Sequence, residues 1–169
     1  GEWWRLLSHA LLHSGFIHIG FNMYALYILG PALERRLGTG RFVAAYVFAA
    51  VAGGVAVYYL APPGSLAVGA SGAIFGLFGL WFGSALANRG TVTGNAQFRS
   101  ILSLLLINAA ISLLPGISWQ GHLGGFLAGV VTFALVRAQP DARSSTWILG
   151  LLTVGLIVLT QVVGAVPLG

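Results

Sequence analysis

Two short stretches decide how this chain folds: Gly69-Ala70-Ser71-Gly72-Ala73-Ile74-Phe75-Gly76 and Gly121-His122-Leu123-Gly124-Gly125. Glycines recur at every fourth position, Gly72 and Gly76 in the first stretch, Gly121, Gly125 and Gly129 in and beyond the second. In a bilayer, small residues spaced by four form stripes along which two helices approach backbone to backbone. One stripe carries a serine and the other a histidine. A short serine side chain reaches a ring on another helix only if the helices come that close, so the glycines and the chemistry belong to one reading.

The surrounding composition requires lipid. Of 169 residues, 57% are hydrophobic and 7% charged, with a mean hydropathy of +0.91. A soluble domain carries about 25% charged residues, and this chain cannot cover a water-facing surface. That excludes a soluble enzyme and a disordered segment. A helix needs roughly 20 apolar residues to cross a hydrocarbon core about 30 Å thick. Six runs are candidates: 16–33, 42–61, 66–87, 101–114, 121–136 and 147–166. The fourth is short, and the third opens on glycine-rich sequence that need not be helical. Turn signals separate them at Gly38-Thr39-Gly40, Pro62-Pro63-Gly64, Asn88-Arg89-Gly90, Pro115-Gly116 and Pro140-Asp141. The expected architecture is an all-α polytopic membrane bundle with six transmembrane helices. It forms a single domain over 1–169, with an outer segment at 1–15, a core at 16–138 and an extra C-terminal helix at 146–166.

Charge supplies the orientation. Eight arginines and no lysine stand against Glu2, Glu34 and Asp141, a net charge of +5. Arg35, Arg36 and Arg41 flank the first turn, Arg89 and Arg99 the third, and Arg137 and Arg143 the fifth, whereas 61–66 and 115–120 carry no charge. Basic residues on alternate loops are the positive-inside signature. The basic charge is therefore a topology signal and not a nucleic-acid footprint, and no nucleic-acid partner is expected. Trp3-Trp4-Arg5 reads as an interfacial anchor.

With the basic loops inside, the first, third and fifth spans all enter from the outer side. His18, Asn22, Ser71 and His122 then lie at one depth, about 5–10 Å below the outer helix ends at 1.5 Å per residue. Polar groups inside a membrane are expensive and mark function. Ser71 and His122 suit a nucleophile and its base. Neither Glu34, Asp141 nor Glu2 lies near that layer, so the arrangement is a dyad without a third acid, and Phe75, one turn beyond Ser71, is placed to orient the ring. His18 and Asn22, at i and i+4, share a helical face and offer hydrogen-bond donors, as do the free first-turn amides of a helix beginning near Ser71. Acyl transfer needs such donors for its oxyanion. His9 and His13 form a second i, i+4 pair. Without cysteines or a carboxylate cluster they are expected to hydrogen-bond within an outer loop, and no metal or cofactor is expected. Asn108 and Gln161 are expected to bond to neighbouring helices.

At these residues the chain resembles the rhomboid family of intramembrane serine proteases. The likeness runs in order through Trp4-Arg5, His9 and His13, His18-x-x-x-Asn22, Glu34-Arg35-Arg36-Leu37-Gly38, Gly69-x-Ser71-Gly72 and Gly121-His122-x-x-Gly125. The resemblance implies Ser71 as nucleophile and His122 as general base and acid. It implies an oxyanion hole from Asn22, His18 and the Ala70–Ser71 backbone. Gly69, Gly72, Phe75, Gly121 and Gly125 would then be supporting residues, with Phe75 packed on the histidine. It also implies an outer loop over 4–16, a lateral gate at 98–114 and a family helix preceding Trp3. Its substrates would be single-span membrane proteins cleaved near the outer face of a bacterial-type plasma membrane. The alternative is a non-catalytic binder of transmembrane helices; a proton-coupled carrier is disfavoured for want of intramembrane carboxylates and an inverted repeat. No oligomeric state is specified.

Overall fold

In hydrocarbon every backbone N–H and C=O must find its partner within the protein, which helices satisfy along their own length. The computed structural model describes residues 2–164, and all regular structure among them is helical. A short α1 (Arg5–Ser8) runs into a 3₁₀ turn (His9–Leu11). Six long helices follow: α2 (Phe16–Leu37), α3 (Thr39–Leu60), α4 (Ser71–Ala87), α5 (Val92–Ser112), α6 (Trp119–Ala138) and α7 (Ala142–Gly164). Residues 165–166 of the last expected run lie outside the described residues.

The expected count of six spanning helices needs correction. Among the described residues, four helices are long and apolar enough to cross a bilayer: α2, α3, α6 and α7. α4 has 17 residues, about 25 Å at the helical rise and short of the hydrocarbon thickness. It is enclosed by other helices over most of its surface, so its length need not match the lipid. α5 starts at Val92 and not near 101, because the Thr91 hydroxyl accepts the Gly94 N–H at 2.9 Å and caps it. The added turns carry Thr93, Asn95, Gln97 and Arg99, which dilute its apolar character. Ser118 and Asp141 cap α6 and α7 in the same manner, accepting from Gly121 N at 3.3 Å and Ser144 N at 2.7 Å.

Glycine governs the packing. α4 and α6 share the most extensive contact of any helix pair. A β-carbon on Gly125 would strike the backbone of Gly72, and one on Gly129 that of Gly76. The expected stripes thus mesh in register, and Gly79 extends the seam against the Phe126 carbonyl. α3 closes the third side with a small-residue face: Gly53 lies against Gly72 and Gly121, Ala49 against Gly76, and Ala52 and Ala56 against Gly124. The outer segment rests on Gly54 of α3 through Leu6 and His9, and the Gly69 N–H donates to the His9 carbonyl at 2.9 Å. α7 docks on α3, burying Ser145 and Leu149 completely. Arg41 donates from Nε to Ser145 Oγ at 2.8 Å and from Nη2 to the Pro140 carbonyl. Large apolar side chains such as Phe16, Phe21, Tyr27 and Leu151 point outward, the distribution expected where the solvent is lipid.

Candidate active site

The irregular stretch after α3 descends to Gly69, whose φ of +120° is a left-handed conformation available to glycine. Space imposes the same choice, since a β-carbon there would lie 2.6 Å from the His18 ring and 3.4 Å from Asn22 Nδ2. Ala70 then caps α4 with its carbonyl, accepting from Ile74 N at 3.0 Å. It supplies no side-chain cap, so the first-turn amides from Ser71 onward have no acceptor inside the helix. Ser71 opens α4 and His122 lies in the first turn of α6. Because Gly72 meets Gly125, the two side chains face each other across a close approach of the helices, and Ser71 Oγ stands 2.8 Å from His122 Nε2.

The imidazole is held on two further sides. Phe75 stacks on it with ring centroids 4.1 Å apart and planes 9° from parallel. Phe78 meets Phe75 edge-on at 5.7 Å. Ser112, the last residue of α5 and 4% exposed, places its Oγ 2.5 Å from His122 Nδ1. Across the site, Asn22 is 5% exposed and its Nδ2 donor is buried without a partner. His18 has Nδ1 3.0 Å from Ser14 Oγ and its Nε2 beside Gly69.

The structure therefore gathers Ser71, His122, Phe75, Gly72, Gly121 and Gly125 on the α4–α6 seam, and Gly69, Ala70, His18 and Asn22 around the turn before it. His9 and His13 separate. His9 donates from Nε2 to the Ala50 carbonyl at 3.3 Å, reaching α3 and not remaining within its own loop, whereas His13 packs edge-to-face with His18 at 5.2 Å. Burial lowers the His9 pKa against the opposing pull of the Ala50 and Leu6 carbonyls. Asn108 corrects another expectation, for its amide returns to the Leu104 carbonyl of its own helix at 2.8 Å. Sequence reasoning missed Ser112, Ser118 and Gly53. Ser118 was recoverable as a cap beside a helix start. Gly53 sits in a run of small residues, Ala49 to Ala56, that offered a third stripe. No local pattern marks Ser112, which reaches the site only because α5 ends beside α6.

Residues 1–139 match the rhomboid domain. The chain belongs to the rhomboid family. It is similar to YdcA of Bacillus subtilis, 39% identical over 144 residues that cover 85% of this chain and 72% of the relative. It is also 39% identical over 130 residues to the rhomboid protease GluP of the same organism, covering 76% of this chain and 25% of GluP. The rhomboid-type serine protease 2 of Emericella nidulans is 32% identical over 143 residues, 83% of this chain and 28% of that protein. The chain thus spans about a quarter of the length of those last two relatives. Rhomboid membership together with the apolar helices makes it an integral, multi-pass membrane protein. The rhomboid match ends at residue 139, one residue beyond the end of α6, so α7 is an addition to the matched domain.

Proposed function

We propose that this protein is an intramembrane serine endopeptidase that cleaves transmembrane segments of single-span membrane proteins near the outer face through a Ser71–His122 dyad. The observation that carries the reading is the 2.8 Å contact between Ser71 Oγ and His122 Nε2, within the reach a serine nucleophile needs of its base. Ser71 Oγ attacks the scissile carbonyl as His122 Nε2 takes its proton. The imidazolium then returns that proton to the leaving amine, and water hydrolyses the acyl-enzyme by the same route in reverse. Asn22 Nδ2, His18 Nε2 and the Ala70–Ser71 amides serve the oxyanion. An unpartnered, buried amide donor such as Asn22 Nδ2 is costly in the resting protein and is available to a charge that appears in the transition state. A hydrogen donated by Ser14 to His18 Nδ1 leaves His18 Nε2 as a donor too. Phe75 limits the ring to motions in its own plane.

The arginine-bearing turns support a cytoplasmic side at the α2–α3, α4–α5 and α6–α7 ends. Ser71 and His122 then open toward the extracytoplasmic side of a plasma membrane of bacterial type. The deciding experiment reconstitutes the full protein with a single-span substrate and compares wild type with Ser71→Ala. Cleavage and fluorophosphonate labelling are expected in the wild type and neither in the variant. Labelling that persists in Ser71→Ala overturns the assignment, and an unchanged physiological output favours a non-catalytic binder.

A further inference from the structure

We infer that Ser112 is a positioning residue that holds His122 in the tautomer and orientation required of a base, an inference that rests on the dyad reading above. The argument is one of hydrogen counting. Ser112 Oγ stands 2.7 Å from the Asn108 carbonyl, four residues back on α5, and 2.5 Å from His122 Nδ1. A hydroxyl has one hydrogen to give. A carbonyl only accepts, so at 2.7 Å the hydrogen must lie between Ser112 and Asn108; otherwise two oxygens face each other with lone pairs and no proton. Ser112 Oγ then meets His122 as an acceptor, and Nδ1 carries the imidazole hydrogen. In a neutral ring that leaves Nε2 bare. Nε2 is the atom 2.8 Å from Ser71 Oγ, and a bare nitrogen is what a proton acceptor has to present.

The result is a directed chain in which Ser71 donates to His122, His122 to Ser112, and Ser112 to the backbone of α5. When the Ser71 proton moves to Nε2 the ring becomes an imidazolium, and the Nδ1–H bond to Ser112 persists through the transfer. Ser112 thereby takes the place an acidic side chain occupies in a three-residue site, with a neutral oxygen anchored by a carbonyl. Its burial, at 4% exposure, keeps water from competing for Nδ1. Phe75 fixes the plane of the ring, and Ser112 fixes which edge faces the nucleophile.

The test uses the full protein with ¹⁵N-labelled histidine, the His122 signals being assigned by their loss in His122→Gln. In the wild type at neutral pH, His122 is expected as the Nδ1–H tautomer. Finding it as Nε2–H overturns the inference outright, whatever the variants do. Ser112→Ala is expected to populate the Nε2–H form and to lower kcat on the order of tenfold with KM unchanged, while Ser112→Thr, which keeps the hydroxyl, recovers the wild-type tautomer. A Ser112→Ala protein that keeps the Nδ1–H tautomer and a kcat within about twofold of wild type removes the role. If the wild type neither cleaves nor labels at Ser71, the dyad reading falls, and the tautomer measurement still decides what Ser112 does to the ring.

Discussion

The two flanks of α4 are built on opposite principles. Toward α6, a β-carbon on Gly79 would strike the Phe126 carbonyl, and β-carbons on Gly125 and Gly129 of α6 would strike the backbones of Gly72 and Gly76, so contact is backbone against backbone. Toward α5, contact is made by large side chains. Phe82 packs on Phe98 at 5.7 Å, and the Arg89 guanidinium lies 4.3 Å from the Phe98 ring centre. The first flank has two rigid surfaces in one register. Side chains on the second can change rotamer and still fill the space. Ser71 and His122, the proposed nucleophile and base, hold their 2.8 Å contact on the first flank, and α5 reaches His122 through Ser112 at its end. The difference teaches that glycine density here serves geometry more than helix formation, because glycine is among the poorest helix formers.

Breaking the dyad itself should have the largest effect: Ser71→Ala should reduce substrate cleavage in proteoliposomes to background while leaving the unfolding midpoint near wild type. Next comes the backbone seam. Gly125→Val forces a side chain into the Gly72 backbone and should destabilise the bundle by about 3 kcal/mol or more, read from denaturant unfolding in detergent. Should Gly125→Val unfold like wild type, the rigid-seam view is wrong. Asn22→Ala tests the proposed oxyanion side of the site without touching that seam, with an expected kcat loss on the order of 10²-fold and unchanged stability. On the other flank, Phe98→Leu should cost only about 1 kcal/mol and leave kcat within a few-fold; a loss matching Gly125→Val would erase the contrast between the flanks.

The smallest expected effect concerns the outer segment, which leans on α3 through His9. Burial holds the His9 pKa below its ordinary value of 6.5, so the folded protein favours the neutral ring. Its contribution is complete above about pH 6.5 and declines as pH falls below it, where the unfolded state takes up the proton first. The protection factors of the amides over residues 2–15, taken relative to intrinsic exchange at each pH, should therefore fall between about pH 7.5 and about pH 5.5, and a His9→Gln variant should show a flatter response.

Much of this was legible in the linear chain. Ser71, His122, Phe75 and the glycine stripes declare themselves by spacing, because a helix converts intervals of four into a shared face. His18 and Asn22 announce themselves by polarity at a depth where polarity is expensive. Less legible were the ends of α5, where a single capping threonine added turns that hydropathy did not suggest. Asn108 was misread because an amide in a helix has an acceptor one turn back on its own backbone. Gly53 was overlooked since a third stripe has no chemistry attached to it.

By itself the amino-acid order determined the solvent, the helical content, which turns carry the positive charge and the pair of residues worth watching. These follow from composition and from periodicities that act within a single helix. Only the tertiary structure decided that α3 completes the glycine seam, that His9 reaches Ala50, and that the end of α5 delivers Ser112 to the far edge of the His122 ring. Such contacts join residues on separate helices, and their existence depends on how those helices cross, which no interval along one strand of sequence encodes.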